Sequence, residues 1–246
     1  MTNPIRVLVN GAFGRMGQLV TKAVSEHPGL TLAGQAGREY DLKQAIKDSK
    51  ADVVVDFTHP EAVFKNTQII IECGARPVIG TTGLRGEHVK TLQKQAAAAK
   101  IGGLIAPNFS MGAVLVMKAA REIAKYIPNV EIIEMHHEGK LDSPSGTSMR
   151  AAEMIAESIA NPNALVRNQH ETIPGARGAT LNQIPIHSIR LPGMLAHLQV
   201  LFGNPGETIT LRHDSTDRQS YMPGICLACE KVMKLDKLAY GLEEIL

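Results

Sequence analysis

The stretch EMHHEGKLDSPSGT, residues 134–147, gathers two imidazoles, an ammonium and a Ser-Pro-Ser-Gly-Thr turn in a short space. A histidine takes up or releases a proton near neutral pH, and Lys140 adds a full positive charge. Ser143 and Pro144 read as the cap and first turn of a helix. Ser145, Gly146 and Thr147 would then offer backbone N–H groups and hydroxyls to an anion. Imidazole, cation and helix start together suit a small carboxylate substrate and a proton transfer. In a strand, His136 and His137 point to opposite faces. One then faces the site while the other lies at its rim, or the strand ends there. The stretch alone leaves open a satisfied histidine pair in a polar loop.

A second constellation lies near the amino terminus. VNGAFGRMGQLV places Gly11, Gly14 and Gly17 between an apolar run and a helical pattern. Glycines there permit a tight turn and the approach of a pyrophosphate to the backbone. The helix start supplies N–H groups and a positive dipole end. The spacing is one residue longer than the usual G-x-G-x-x-G, and close strand–helix packing would use the same glycines. Arg15 either adds charge to the pyrophosphate or is solvated. At the end of the second apolar run, QAGRE puts Gly37 where a ribose-binding carboxylate is expected, followed by Arg38. Space and a guanidinium suit a 2′-phosphate, so the reading favours NADPH over NADH. The alternative has Arg38 solvated and Glu39 on the ribose. IGTTG (Gly80, Thr81, Thr82) and APNFS (Ala106, Pro107, Asn108, Phe109) end two further apolar runs. Small and hydroxyl residues at strand ends fit a nicotinamide ribose and carboxamide, and Phe109 could press on the ring. Ordinary turn chemistry explains either segment alone.

The elements that must position these residues follow from periodicity. Strands are expected at Ile5–Val9, Leu30–Ala36, Val53–Phe57, Pro77–Gly80 and Leu104–Ala106. Between them fall helices from Gly14 to His27, after an Asp41 cap, from Pro60 through Cys73, and on to Ala99. That alternation means a doubly wound α/β parallel sheet covered on both faces. After Asn108 the pattern changes. A helix Met111–Tyr126, a strand Val130–His137 and a helix from about Ser145 to Ala160 precede a polar, Pro/Gly-rich loop, 161–183. The runs Pro185–Leu191, Leu195–Phe202 and Thr208–His213 alternate apolar and polar residues, as in an antiparallel or mixed sheet with one covered face. A last apolar helix is expected near Tyr221–Leu235. Two domains follow, 1–108 with 218–246 and 109–217, with a cleft between them as the default ligand site.

Bulk properties narrow the partners. The chain has 246 residues, 26 Lys plus Arg against 24 Asp plus Glu, and no Trp. This near-neutral balance gives no electrostatic case for nucleic acid or an anionic membrane. No stretch approaches the roughly 18 apolar residues of a membrane span. Three cysteines, an odd number, suggest reduced thiols in a cytoplasm. His136-His137-Glu138 with Cys226-x-x-Cys229 raises a zinc deaminase as a rival. Pro223 is not adjacent to the first cysteine, however, and thiols in an apolar helical run are more often core, so no metal is expected. The rival from another class is a non-catalytic NADPH-sensing regulator. A sensor has no need of a positioned acid.

The segments GAFGRMG, VVVDFTHPE, GTTG, APNFS, EMHHEGKLDSPSGTS, SIRLPG and HDSTDR run almost end to end. In them the chain resembles the 4-hydroxy-tetrahydrodipicolinate reductases, also called dihydrodipicolinate reductases, of bacterial lysine and diaminopimelate synthesis. The resemblance implies a Rossmann-type domain for NADPH or NADH and an α+β domain with a mixed sheet that binds substrate and builds a homotetramer. It implies hydride transfer to a cyclic unsaturated dicarboxylate, giving tetrahydrodipicolinate. Carried over, His136 is the acid/base and Lys140 the proton donor. His137, Ser145, Gly146 and Thr147 bind the substrate carboxylate. Gly11, Ala12, Phe13, Gly14, Arg15, Met16, Gly80, Thr81, Thr82, Ala106, Pro107, Asn108 and Phe109 hold the cofactor. Arg218 either contacts substrate or holds the domains together. The chain departs from the family at Gly37, where some members carry an acid. It is also short for the family, so trimmed loops are expected.

Overall fold

The computed structural model describes residues 3–84, 86–160 and 170–246. The chain divides into two compact units, Met1–Met111 with Arg218–Leu246, and Gly112–Asp217.

In the first unit, β1 (Ile5–Asn10), α1 (Arg15–Glu26), β2 (Leu30–Ala36), α2 (Leu42–Ser49), β3 (Val53–Asp56), α3 (Val63–Glu72), β4 (Arg76–Ile79), α4 (Gly86–Ala99) and β5 (Gly103–Ile105) follow one another. Val7, Leu8 and Val9 of β1 and Val53, Val54 and Val55 of β3 are fully buried. Burial without alternation is what a sheet covered on both faces requires. Asp41 caps α2, its carboxylate accepting from the Gln44 N–H at 3.1 Å. The helix expected to open at Pro60 starts at Val63 instead. Residues 60–62 form a turn in which the His59 carbonyl accepts from the N–H groups of Ala62 and Val63.

The second unit contains most of α5 (Met111–Ala124), then β6 (Val130–His136), α6 (Gly146–Ser158), β7 (Ala179–Leu181), β8 (Ile184–Arg190), β9 (Ala196–Asn204) and β10 (Glu207–Ser215). The sheet order is β10-β9-β6-β8-β7. The β6–β8 pair is parallel and the others antiparallel. Register places Ile132, Glu134 and His136 on the same face as Ile186, Ser188, Arg190, Leu198 and Val200. The apolar members of that face are buried, and α6 packs on β6 and β8. Part of the expected loop lies outside the described residues, 161–169. Its end is not loop, since Ala179–Leu181 pairs with β8 as an edge strand. That three-residue strand is too short for periodicity to reveal.

The chain then returns to the first unit through a 3-10 turn, Arg218–Tyr221, α7 (Met222–Lys231) and β11 (Leu238–Tyr240). The expected helix to Leu235 stops at Lys231 and tightens into a 3-10 turn over Val232–Lys234. β11 joins β5 in parallel, so the six strands run β11-β5-β4-β3-β1-β2. Helix connections on either side of β1 reverse direction between β1 and β3, which is where open parallel sheets bind ligands.

Candidate active site

At the switch point, the loop after β1 is shaped by glycine. Gly11 adopts φ +83°, and a Cβ there would lie 2.2 Å from the Phe57 carbonyl oxygen. A Cβ on Gly17 would lie 2.0 Å from the Gly11 carbonyl oxygen. The N–H groups of Gly11 and Ala12 both donate to the Ala36 carbonyl, tying the loop to the end of β2. Gly14 is the N-cap of α1 and has no side chain to cover the helix start, while Arg15, the first helical residue, is exposed. A tight backbone cradle before an uncapped helix fits a dinucleotide pyrophosphate.

Around it lie the other strand ends. Gly37 follows β2 with Arg38 exposed beyond it. A Cβ on Gly37 would meet Phe13 Cδ2 at 2.8 Å, and the Phe13 and Tyr40 rings stand 5.8 Å apart, both more than half exposed. Gly80, after β4, lets the Phe57 ring approach to within 2.3 Å of where its Cβ would be. Thr81 is buried and Thr82 exposed. Ala106 and Phe109 follow β5. Phe109 is buried with its ring against Phe57, centroids 5.9 Å apart.

The sequence reading missed what holds these ends together. Asp56, fully buried at the end of β3, accepts from Asn10 Nδ2 (2.8 Å), Asn66 Nδ2 (3.0 Å), Thr81 Oγ1 (2.6 Å) and both the N–H and hydroxyl of Thr58. The ends of β1, β3 and β4 and the helix α3 thus share one carboxylate. An acid closing an all-valine strand in VVVDF was the available signal.

In the second unit, β6 ends at His136, and His137 begins a turn whose carbonyl accepts from the Lys140 N–H at 3.1 Å. The histidines therefore do not act as a strand pair. Lys140 Nζ donates to both Asp142 oxygens, at 2.7 and 2.8 Å. Burial would raise the Asp142 carboxyl, but the hydrogen bond and charge of Lys140 outweigh it and the group lies below its ordinary range. The cap expected at Ser143 falls two residues early. The Ser143–Pro144 peptide is cis, and Ser145 is the N-cap of α6. Ser145 Oγ accepts from the Ser148 N–H at 3.2 Å and sits 2.9 Å from Ser148 Oγ. Its buried hydroxyl is thus engaged in capping. Gly146 and Thr147 open the helix, where N–H groups precede the first intrahelical bonds.

Two residues unassigned from sequence complete this cluster. Glu134, 1% exposed, touches His136 Nδ1 through Oε2. Arg190, from the neighbouring β8, donates to Glu134 Oε2 at 3.0 Å and Oε1 at 2.9 Å, and to the Asp142 carbonyl at 2.7 Å. Burial alone would raise the Glu134 carboxyl, yet hydrogen bonds from His136, Arg190 and Ser188 bring it down to about 2. Register supplies the missing signal: Glu134 and His136 are two apart on one strand, and His136 pairs with Arg190.

Arg218 opens the 3-10 turn and belongs to the first unit. The candidate thiols of a zinc site are core. Cys226 and Cys229 are buried on α7, and burial raises both thiols, Cys226 to about 11.

A doubly wound sheet with a glycine cradle in one unit, and a second sheet carrying the His136–Glu134–Arg190 contacts in the other, are features of a nicotinamide-dependent oxidoreductase. The family described as "Dihydrodipicolinate reductase, N-terminus" matches residues 5–109, and "Dihydrodipicolinate reductase, C-terminus" matches residues 112–246. A 4-hydroxy-tetrahydrodipicolinate reductase of Coxiella burnetii (strain Dugway 5J108-111) is 51% identical over 245 residues, covering 98% of this chain and 99% of that protein. One from Legionella pneumophila (strain Paris) is 48% identical over 241 residues, with the same coverage. The solved structure of dipicolinate-bound dihydrodipicolinate reductase from Paenisporosarcina sp. TG-14 superposes with a TM-score of 0.85 at 41% identity, covering 99% of this chain and 100% of that one. The chain belongs to the dihydrodipicolinate reductase family. These relatives match it almost end to end, so the expected trimmed loops do not set it apart from them.

Proposed function

We infer that the protein reduces dihydrodipicolinate, formed from 4-hydroxy-tetrahydrodipicolinate, to tetrahydrodipicolinate in lysine and diaminopimelate synthesis. The observation that carries this reading is the run of contacts in which Arg190 binds both Glu134, behind His136, and the Asp142 carbonyl, while Lys140 pairs with the Asp142 carboxylate shortly before the start of α6 in sequence.

The residues fit the roles the reaction needs. Gly11 to Met16, Gly80 to Thr82 and Ala106 to Phe109 would hold the nicotinamide dinucleotide, the glycines letting it approach the backbone. A reduced nicotinamide held there would supply a hydride to the conjugated imine of the substrate. The electron pair displaced in the substrate must be met by one proton, from His136 or Lys140, so two electrons and two hydrogens are delivered in all. The N–H groups of Gly146 and Thr147, with His137, bind a substrate carboxylate; Ser145 sets the helix start that presents them. Lys140, paired with Asp142, brings a cationic side chain to the same stretch. Arg218 acts either on the substrate or as a brace.

We assign NADPH as the preferred cofactor, with NADH as the alternative, because Gly37 has no carboxylate to bind a ribose hydroxyl and Arg38 is exposed beside it. The sheet face opposite Glu134 carries Ile133, Ile189 and Leu201, all partly exposed, which supports a homotetramer built through that sheet. Three free cysteines suit a cytoplasmic enzyme, and among the described residues no helix is long and apolar enough to cross a membrane.

Absorbance at 340 nm tests the activity. NADPH oxidation should begin only when freshly made product of the preceding synthase is added. No turnover by folded, cofactor-binding protein would favour the sensor reading.

A further inference from the structure

We propose that Glu134 and Arg190 are positioning residues for His136: they fix its ring so that Nδ1 carries a proton toward Glu134 and Nε2 is the atom that exchanges a proton with substrate. The inference rests on the acid/base reading of His136 and deepens it.

The geometry leaves Glu134 one role. Its carboxylate is 1% exposed and sits between an imidazole and a guanidinium. Arg190 is a permanent cation whose planar fork meets both carboxylate oxygens at 3.0 and 2.9 Å. A carboxylate so paired accepts hydrogen bonds and donates none. The ring nitrogen against Oε2 must therefore be the donor. That assigns the neutral ring to the Nδ1–H tautomer and makes Nε2 the basic atom. When the ring is protonated, Nε2–H gives its proton to the substrate and Nδ1–H stays on Glu134. The ring returns to the same neutral tautomer, and no second proton moves.

Arg190 supplies more than charge. It also donates to the carbonyls of Asp142 and Ile189, at 2.7 and 2.8 Å. Asp142 is the partner of Lys140. One guanidinium therefore anchors both the carboxylate behind His136 and the backbone of the residue beside Lys140. Lysine cannot replace it, because a point donor does not span two oxygens and two carbonyls. Glutamine cannot replace Glu134. Whichever way the amide turns, its NH2 faces an Arg190 N–H, and one orientation also faces His136 Nδ1.

Two-bond proton–nitrogen spectra of histidine-labelled wild-type enzyme test the tautomer without turnover. The His136 signal, identified by its loss in His136→Asn, should show a neutral ring protonated at Nδ1. A ring protonated at Nε2 would overturn the proposal, whatever the variants do. In Glu134→Gln the amide oxygen can still face Nδ1, but the NH2 then opposes Arg190 and the ring loses its fixed support, so kcat should fall about 10–100-fold, as for the orienting partner of a functional imidazole. NADPH affinity should stay within about twofold. Arg190→Lys should lower kcat in the same direction and stands in if the Gln variant does not fold. Unchanged kcat in these variants, with turnover lost in His136→Asn, would sink the positioning role alone. Wild-type turnover in His136→Asn would sink the acid/base reading and the proposal with it.

Discussion

Arg190 and Glu134 meet through two parallel hydrogen bonds across adjacent strands, and Glu134 is almost wholly out of water. Its carboxyl is held at about 2 against an ordinary 4.5. A folded-state value below the unfolded one stabilises the fold above the unfolded value and ceases to do so as pH falls through the folded value. The contribution is thus complete above about pH 4.5 and is lost between there and about pH 2. A shift of this size corresponds to on the order of 3 kcal/mol. Denaturant unfolding at stepped pH should show wild-type protein losing more stability across that window than Glu134→Gln, which lacks the titrating group. Parallel pH profiles for the two proteins would contradict the assignment.

Lys140 is expected to matter for chemistry and not for cofactor. Its ammonium is paired with Asp142 in the second unit, while the glycine cradle lies in the first. Lys140→Ala should lower kcat by roughly 10²-fold or more, the range of a lost acid–base group. NADPH affinity, read by nucleotide fluorescence, should stay close to wild type. A large loss of NADPH binding would count against the role.

Cofactor choice should depend on a ring as well as on a charge. Arg38→Ala is expected to weaken NADPH more than NADH; equal weakening would remove the 2′-phosphate role. Restoring an acid at position 37 meets an obstacle, because a Cβ there would stand 2.8 Å from Phe13 Cδ2. Gly37→Asp alone should therefore weaken both nucleotides by displacing Phe13. Combined with Phe13→Ala it should regain NADH binding, since the carboxylate then has room to reach a ribose hydroxyl. Calorimetric titration of both nucleotides into the three proteins reads this directly. An NADH gain in the single variant would show that Phe13 yields easily.

The fold was largely legible because its strands and helices have different periods. The valines of β3 and the glycines of β1's loop announce a buried parallel sheet and a close backbone approach. The candidate catalytic stretch was legible for its residue types. Its geometry was not, since Ser143-Pro144 and Ser145 are both plausible caps in sequence and only backbone dihedrals distinguish them. Partners distant along the chain were also hidden. Arg190 lies 56 residues from Glu134, and Asp56 lies 46 from Asn10 and 25 from Thr81. Charge and burial of such residues become informative only once register brings them together. Short edge strands such as β7 and β11 carry too few residues for any pattern.

Asp56 offers the test of how the first unit holds its strand ends. Its Oδ2 receives two amide N–H groups, from Asn10 and Asn66, and its Oδ1 receives Thr58 N–H and two hydroxyls. Asp56→Ala leaves these donors in a buried site, each costing roughly 1–3 kcal/mol where water cannot enter. Asp56→Asn is milder. Its oxygen can stay on the Thr58 N–H, and its amide can face Asn10 and Asn66, whose own amides can turn to accept. The Ala variant should therefore be less stable than the Asn variant and bind NADPH about tenfold or more weakly, a difference of about 1.4 kcal/mol. Turnover at saturating NADPH should survive in the Asn variant, because His136, Lys140 and α6 lie in the other unit. If Ala and Asn weaken NADPH equally while stability is unchanged, the carboxylate is not the tie between β1, β3 and β4, and the loops are held by their backbone hydrogen bonds alone.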